Sequence, residues 1–530
     1  DRVGTSDSFI FHIAAMYSYI GDFKSIERSK KKILEEEIFK SLQYQSAKIA
    51  TNTKKNFLKN YTDTELDKLI IERKNLKIKY KNLVTKIFFN NNQEKNKFFQ
   101  NKNLIENRLN EIDLFIEKNY KKFSNLNRIN TYEYNDIQKL LKIDEVLIYL
   151  VNEEVQQAFI ITKNETNLLS DLYLTKSRTE GVLSLTKKNI NNEISEKLNE
   201  NINALIFNEF FKKIIDKIKG TKKIIFIADK HYSNFPFEMM ITNRPEVDIK
   251  TLDQINKNIK PKYLIQDFEI NYLPNIDIFI NLRNINKTKL TKNSKFLGIG
   301  NPKLTRLDDD FSKKKQEKEI KFLRSGYMQN TNAIINKYQE LPFTGKEIRE
   351  MSKIFSNSTT LLRENANEVK VKNLDLKNFN IISFATHAEV YGNFSEYNEP
   401  FLVLSPPENS TIENDGLLTT SEISELNLDS ELVILSACNT SSQENKYAEG
   451  YSGLVSSFFS AGTKSVISTY WPVEDKAGYI LMTKTMEKTI KNNISISEAL
   501  RQTKIEFING EYGIEYKKPF YWAPYIYLGL

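Results

Sequence analysis

Two short apolar stretches, Ile381-Ile-Ser-Phe-Ala-Thr-His387 and Leu432-Val-Ile-Leu-Ser-Ala-Cys438, decide the fold of this chain. Each has the length of a buried strand, and each ends on a residue that can do chemistry. Continuous apolar runs of this kind are typical of parallel sheets whose two faces are covered by helices. Open α/β folds place their active sites at the carboxyl edge of such a sheet. We therefore expect His387 and Cys438 to lie near each other at that edge.

The spacing of these two residues favours a cysteine protease. The chain has 530 residues but only three His and one Cys. His387 precedes Cys438 by 51 positions (438 − 387), and a catalytic His about 50 residues upstream of the Cys is the spacing of caspases. A thiol of pKa about 8.5 needs a neighbouring base to form a thiolate at neutral pH. An isolated His and Cys are more often packing residues, but their shared position after two strands favours a catalytic dyad.

The composition predicts a folded, multidomain, cytoplasmic protein. Hydrophobic residues make up 40% and aromatic residues 12% of the chain, and its length suits three or four domains of roughly 100–200 residues. A single Cys excludes an internal disulfide and favours a reducing compartment. With only three His, we expect no metal site, and no motif predicts a cofactor. No apolar run reaches the roughly 18 residues that span a bilayer, and the N-terminus lacks a signal-peptide pattern.

The N-terminal part of the chain is predicted to be helical and basic. Spacing of small and aromatic residues within 1–30 resembles a degenerate tetratricopeptide-like unit, and because such repeats need neighbours to bury their faces, we expect more repeats before residue 1. The chain starts with Asp1 rather than Met, which suggests a fragment or a processed chain. Residues 31–130 carry 22 Lys and Arg against 12 Asp and Glu and have apolar residues at helical spacing, with the polar run Asn90–Asn96 as a turn. We predict a long helical spacer there. Its charge fits an acidic partner or nucleic acid, but no recognition motif accompanies it, so we expect a solvated helical surface.

Two α/β lobes are predicted after residue 130. In residues 131–290, the apolar runs 145–151 and 157–162 predict a hairpin, and Lys223–Ala228 predicts a further strand. In residues 291–530, Phe296–Gly300 reads as the first strand, and Thr344, with an acid three residues on, reads as the N-cap of a helix. Strands then alternate with helices, including helices over 475–491 and 496–508. This alternation predicts a mainly parallel sheet with covered faces.

These stretches resemble the CHAT domain, a caspase-like peptidase family related to separases and often fused to tetratricopeptide repeats. The resemblance covers most of the last 400 residues. The resemblance implies that residues 131–290 form a pseudo-caspase lobe and residues 291–530 a caspase-like catalytic lobe. The segments that carry it include Leu297-Gly-Ile-Gly-Asn-Pro302, Phe384-Ala-Thr-His387, Leu432–Thr440, Tyr470-Trp-Pro-Val-Glu-Asp475 and Tyr521-Trp-Ala-Pro-Tyr525.

The resemblance implies a cysteine endopeptidase that cleaves protein substrates. In such an enzyme, His387 would take the proton of Cys438, and the backbone N–H groups of Ala388 and Cys438 would bind the oxyanion. A protein activator at the helical or repeat region, and a role in bacterial defence or cell death, are implied by analogy. The family usually has Gly where this chain has Ala388, which leaves a catalytically silent CHAT-fold scaffold as the alternative. A nucleic-acid sensor using the basic region is a third, weaker hypothesis.

The S1 pocket, which receives the substrate side chain before the cleaved bond, is predicted from residues beside Cys438 and after Trp471. Ser436 stands where caspases have Gln. Glu474 and Asp475 could select a basic P1 residue, as an acid does in separases. An acid at a strand–helix junction is equally well an ordinary helix N-cap. Both interpretations of Asp475 stay open at this point.

Overall fold

The computed structural model of the chain describes most of the sheet-forming region. It covers residues 28–45, 68–69, 72, 76, 92–119, 131–152, 156–170, 204, 207, 211–228, 232–233, 235–243, 260–304, 335, 338, 340–389, 400–406, 414–436, 453–471 and 473–530. The stretch before residue 28, for which a tetratricopeptide-like unit is predicted, and the predicted nucleophile Cys438 both lie outside these residues.

Fourteen strands are found in the described part of the chain. They are β1 Glu145–Asn152, β2 Gln156–Thr162, β3 Thr166–Ser170, β4 Lys223–Ala228, β5 Glu269–Leu273, β6 Lys295–Pro302, β7 Asn357–Arg363, β8 Ile381–Ala385, β9 Ala388–Glu389, β10 Phe401–Val403, β11 Leu417–Thr419, β12 Leu432–Ser436, β13 Val466–Thr469 and β14 Tyr525–Leu528.

The α-helices of the same residues are α1 Arg28–Gln45, α2 Asn92–Asn119, α3 Tyr134–Leu140, α4 Lys212–Ile215, α5 Leu264–Asp267, α6 Ile276–Asn284, α7 Pro342–Ile354, α8 Glu368–Asn373, α9 Thr420–Glu425, α10 Gly453–Ala461, α11 Asp475–Lys491, α12 Ile496–Asn509 and α13 Pro519–Trp522. Within the described residues, no helix has both the length and the apolar character needed to cross a membrane.

The chain forms two compact units, one of Asp1–Ala50 with Thr131–Leu530 and one of Thr51–Asn130. In the smaller unit, α2 is held by an ion pair in which Arg108 Nε lies 2.8 Å from Glu72 Oε1. The helix begins at Asn92, inside the polar run predicted as a turn. That prediction was wrong because the run contains no Pro or Gly, so nothing in it interrupts a helix.

In the larger unit, α1 packs against the first strands of the sheet. Ile38 and Phe39 are fully buried, and the Phe39 ring lies 4.7 Å from that of Tyr134 and 5.2 Å from that of Phe159. The boundary predicted after residue 30 therefore falls inside a helix. Residues 31–45 cover the sheet rather than extending the spacer, because their apolar face matches an apolar surface of β1 and β2.

One sheet of eleven strands runs through both α/β lobes, in the order β3-β2-β1-β4-β5-β14-β13-β12-β8-β6-β7. The predicted hairpin is confirmed, since β1 and β2 pair antiparallel, and the pairs from β12 to β7 are parallel. The short C-terminal β14 joins the halves, pairing parallel with β5 and antiparallel with β13. Sequence reasoning assigned no strand to β14. The predicted fold class, α/β with a mainly parallel sheet, is confirmed.

Helix α7 lies very close to β6 because two glycines remove side chains between them. A Cβ built on Gly298 would lie 2.5 Å from Ile348, and one on Gly300 would lie 2.8 Å from it. The helix begins at Pro342 with Leu341 as N-cap residue, so the predicted N-cap Thr344 was wrong. Proline is well suited to the first helical position, and the Thr344 hydroxyl accepts a hydrogen bond from the Asn301 N–H at 3.0 Å.

A second sheet, with the order β11-β10-β9, follows the carboxyl end of β8. Its strands are antiparallel, with Leu402 opposite Ala388 and Leu418. A small core behind it contains Ile335, Phe401 and Val403. This sheet fixes the backbone immediately after the predicted catalytic His, so the position of that residue depends on long-range pairing.

Candidate active site

Strands β8 and β12 are parallel neighbours at the centre of the second half of the sheet. Their register pairs Ile381 with Leu432 and continues to Ala385 with Ser436. The carboxyl ends of both strands therefore lie at the same edge, as predicted. His387 comes two residues after β8, and Cys438, outside the described residues, comes two residues after β12 in sequence.

His387 is half-buried and held against an aromatic ring. The ring centroids of Tyr338 and His387 are 4.8 Å apart, with an angle of 36° between the planes. The Tyr338 hydroxyl donates to Glu389 Oε2 at 2.8 Å, and the His387 carbonyl accepts from the Val403 N–H at 2.9 Å. The imidazole is thus oriented from one face by Tyr338, while its backbone is fixed by β10.

The N–H of Ala388 points away from the small sheet. In antiparallel pairs, hydrogen-bonded and non-hydrogen-bonded residue pairs alternate. Because Val403 bonds to His387, the next pair, Ala388 and Leu402, is of the non-hydrogen-bonded kind. The Ala388 amide is therefore left out of the ladder between β9 and β10.

Ser436, at the end of β12, lies in a buried polar cluster. Its Oγ is 3.0 Å from Glu347 Oε2 on α7 and 3.1 Å from the Tyr525 hydroxyl on β14. A Cβ on Gly478 of α11 would lie 2.7 Å from the Tyr525 hydroxyl, so the glycine provides the space for it. Two separate elements, α7 and β14, thus bring polar groups to the residue two positions before the predicted nucleophile.

Glu347 is the strongest electrostatic feature of this cluster. It is 2% exposed, and its Oε1 has no hydrogen-bond partner. Burial, opposed by the Ser436 hydrogen bond and reinforced by the negative charge of Asp475, raises the pKa of the Glu347 carboxyl to about 8. The carboxyl is therefore largely protonated at neutral pH, because a buried carboxylate is costly without a compensating cation.

The two acids predicted for S1 are both engaged in helix capping. Glu474 is the N-cap of α11 and accepts from the Ala477 N–H at 2.7 Å. Asp475 is the first residue of α11 and accepts from the Phe343 N–H, in the first turn of α7, at 3.1 Å. Burial raises the pKa of Asp475, and the charge of Glu474 also raises it. Asp475 therefore caps a neighbouring helix rather than its own, and it lies close enough to Glu347 to affect it.

Sequence reasoning named Ser436 and Asp475 but missed Glu347, Tyr525 and Tyr338. A glutamate inside a helix usually faces solvent, so its sequence position carried no signal. The spacing Gly298-Ile-Gly300 was the available clue, because paired glycines on a strand indicate a closely packed helix whose facing residues are buried. Tyr338 is isolated from any periodic pattern, and only the tertiary structure brings it to His387.

Comparison with known structures gives distant similarities. The separase–securin complex of Saccharomyces cerevisiae is similar at 11% identity and a TM-score of 0.43, over 98% of this chain and 40% of that chain. The Arg-specific cysteine proteinase gingipain R is similar at 8% identity and a TM-score of 0.34, over 67% of this chain and 74% of that chain. The chain thus spans about 40% of the length of the matched chain in the yeast complex. A search of curated proteins gave no significant match. The family model of the CHAT domain matches residues 198–530, well over half of the chain, and this protein therefore belongs to the CHAT domain family.

Proposed function

We propose that this protein is a cysteine endopeptidase that cleaves protein substrates with a dyad of His387 and Cys438. The observation that carries the proposal is the register of β8 and β12. Its offset, from Ile381 to Leu432, is 51 residues (432 − 381), the same as the separation of His387 and Cys438 in sequence. Neighbouring strands lie about 4.8 Å apart, so this register supports a His and a Cys at the same level of one sheet edge.

The proposed reaction follows from the two side chains. His387 takes the thiol proton of Cys438, and the thiolate attacks the carbonyl carbon of the scissile peptide. The C–N bond breaks as the imidazolium donates its proton to the leaving amine. Water, activated by His387, then hydrolyses the thioester and releases the thiol. The outward-pointing Ala388 N–H supports its proposed role as an oxyanion donor, together with the N–H of Cys438.

Labelling of the single cysteine tests the proposal. Peptide acyloxymethyl ketones should label wild-type Cys438, and mass spectrometry should find no adduct in Cys438→Ala. His387→Ala should slow labelling strongly, because the thiol loses its base. His231→Ala is the matched control, since that His also follows a strand in sequence but has no Cys to serve; it should label like the wild type.

Two results would contradict the proposed peptidase. Labelling of Cys438 at the rate of an ordinary exposed thiol, unchanged in His387→Ala, would overturn the dyad. If in addition no protein or peptide is cleaved, the alternative of a catalytically silent CHAT-fold scaffold takes its place.

We extend the proposal to regulation by a protein activator that binds the helical region, in a bacterial defence or cell-death pathway and in a reducing cytoplasm. Leu104 and Leu114 of α2 support this, since they are 67% and 66% exposed and offer apolar side chains that such a contact would use. Proteins recovered with the wild type but not with a Leu104→Glu/Leu114→Glu variant should include one that raises Cys438 labelling. Equal recovery with both proteins would exclude this surface.

A further inference from the structure

Arg363 holds a strained backbone conformation at the edge of the sheet that carries His387. It ends β7, which runs parallel to β6, as β6 does to β8, and its φ is 57°. This left-handed region is unfavourable for a long side chain, and residues held there cluster at functional sites. Asn301, in the neighbouring strand β6, has a φ of 45° and accepts from Arg363 Nη1 at 3.2 Å. The contacts of Arg363 show what the strain is used for.

The Arg363 side chain supports the part of the chain that carries Tyr338. Its Nη2 donates to Glu340 Oε1 at 2.8 Å, two residues after Tyr338. The Arg363 hydrogen bond is the main reason that the pKa of Glu340 is lowered, so the pair is charged at neutral pH. On the other side, the Tyr338 N–H donates to the Ile335 carbonyl at 3.1 Å, and Ile335 is buried in the small core behind β10. Tyr338 is thus held from both directions along the chain.

The Arg363 backbone supports the strand that fixes His387. Its carbonyl accepts from Ser405 Oγ at 2.6 Å and from the Ala366 N–H at 2.9 Å. Ser405 comes two residues after Val403, the last residue of β10. The Val403 N–H donates to the His387 carbonyl at 2.9 Å. One residue therefore contacts the support of the imidazole ring and the support of its backbone.

Stability alone does not account for an arginine at this position. The side chains of Arg363 and Glu340 are 37% and 44% exposed, and an ion pair between exposed side chains adds little to the free energy of unfolding. A glycine would adopt the same backbone conformation without strain. The ion pair therefore does not offset the strain by itself, and the placement of Tyr338 supplies the further reason for the arginine.

We propose that Arg363 is a positioning residue for His387. It acts on the ring through Glu340 and Tyr338, and it acts on the backbone through Ser405 and β10. Because Arg363 works through these neighbours, it orients the imidazole without taking part in the reaction itself. The proposal rests on the peptidase function proposed above, since the orientation of His387 matters for the dyad.

The Arg363→Gly variant separates this role from a role in stability. It removes the guanidinium and relieves the backbone strain, so it should melt within a few degrees of the wild type. The readout is the NMR signal of histidine labelled with carbon-13 at Cε1. The chain has three His, and the signal lost in His387→Gln identifies His387. In Arg363→Gly this signal should move in the same direction as in Tyr338→Ala, because both variants disturb the ring that packs against the imidazole at 4.8 Å.

A second variant and a control accompany it. Glu340→Gln weakens the ion pair without changing the backbone of Arg363, and it should move the His387 signal in the same direction by less. Labelling of Cys438 by a peptide acyloxymethyl ketone should slow about tenfold or more in Arg363→Gly, since a displacement of about 1 Å can cost roughly 100-fold in rate. Asn493→Gly is the matched control, because Asn493 also has a φ of 57° but is exposed in the turn between α11 and α12. It should change neither the signal nor the rate.

The two proposals fail in different ways. A His387 signal that keeps its wild-type position in Arg363→Gly and Glu340→Gln overturns the positioning role, whether or not the dyad is active. A signal that moves equally in Asn493→Gly overturns it too, because the effect would then be general. If Arg363→Gly does not fold, the signal of Glu340→Gln decides alone. A signal that moves as expected, in a protein whose Cys438 labelling is unchanged by His387→Ala, keeps the positioning role and overturns the dyad.

Discussion

Lys504 and Glu238 form a buried ion pair between the two halves of the chain. Lys504 Nζ on α12 lies 3.3 Å from Glu238 Oε1 in the turn after β4, and their side chains are 1% and 2% exposed. The Tyr272 hydroxyl donates to the same carboxylate, and Lys504 also donates to the Tyr525 carbonyl. Burial lowers the pKa of Lys504, against the raising effect of Glu238. The pair thus ties β14, which carries the Tyr525 side chain, to the first half of the sheet.

Removing the cation of this pair should be costly. Lys504→Met leaves Glu238 as an uncompensated buried carboxylate, and the free energy of unfolding should fall by about 3–5 kcal/mol. Urea denaturation measures the change. Lys353→Met, in the exposed pair with Glu350, is the control and should cost at most about 1 kcal/mol. The double variant Lys504→Met/Glu238→Gln should recover part of the loss; a double variant as unstable as the sum of both singles would contradict the pairing.

The pH dependence of the free energy of unfolding should reveal the protonation state of Glu347. In the folded chain its carboxyl keeps its proton up to about pH 8, whereas in the unfolded chain it ionises above about pH 4.3. Between these values the folded state binds more protons, so the free energy of unfolding falls as the pH rises. The side chain of the Glu347→Gln variant cannot ionise. The free energy of unfolding of this variant should therefore increase relative to that of the wild type, by up to several kcal/mol, as the pH rises from about 5 to 8.

Denaturation at three pH values across this window measures the difference between the Glu347→Gln and wild-type curves. The curve of unfolding free energy against pH for Glu350→Gln should run parallel to that of the wild type. A Glu347→Gln curve parallel to the wild type as well would show that Glu347 is ionised in the folded chain and would contradict its uncompensated burial.

Tyr338 should control the reactivity of the proposed dyad through His387. Tyr338→Ala removes the ring that packs against the imidazole at 4.8 Å, and displacement of a catalytic group by about 1 Å can cost roughly 100-fold in rate. Tyr338→Phe keeps the ring and loses the hydroxyl that donates to Glu389, so it should stay within a few-fold of wild type. The pH profile of Cys438 alkylation by iodoacetamide measures both. Equal profiles for the two variants would show that the ring does not position His387.

Gly478 should be intolerant of even a methyl group. Alanine normally stabilises a helix relative to glycine by up to about 1 kcal/mol, but here its Cβ would lie 2.7 Å from the Tyr525 hydroxyl. Overpacking of this kind costs about 1–3 kcal/mol, so Gly478→Ala should destabilise the protein. In a Tyr525→Phe background the nearest ring atom is 3.8 Å away, and the same substitution should become neutral or stabilising. A loss of stability in both backgrounds would place the conflict elsewhere.

The sequence by itself determined the central strands. It also determined which of them are followed by a residue able to take part in catalysis, His387 after β8 and Cys438 after β12. Long apolar, β-branched runs such as β8 and β12 are stable only when both faces are covered, so their composition alone predicts a buried parallel sheet. The helix predicted over 475–491 is found with those bounds, because a capping acid and helical periodicity are local signals. His387 could be placed at the sheet edge on the same grounds.

Only the tertiary structure decided what surrounds that edge. β14 is four residues long, and its place beside β5 depends on Leu528 pairing with Tyr272, a contact that no local pattern encodes. Glu347 has the sequence context of an exposed helical acid, and it becomes a buried one because two glycines on β6 draw α7 inward and Ser436 and Tyr525 meet it there. Local propensity depends only on the residues of one helix or strand, whereas the burial of a charge depends on every element packed around it.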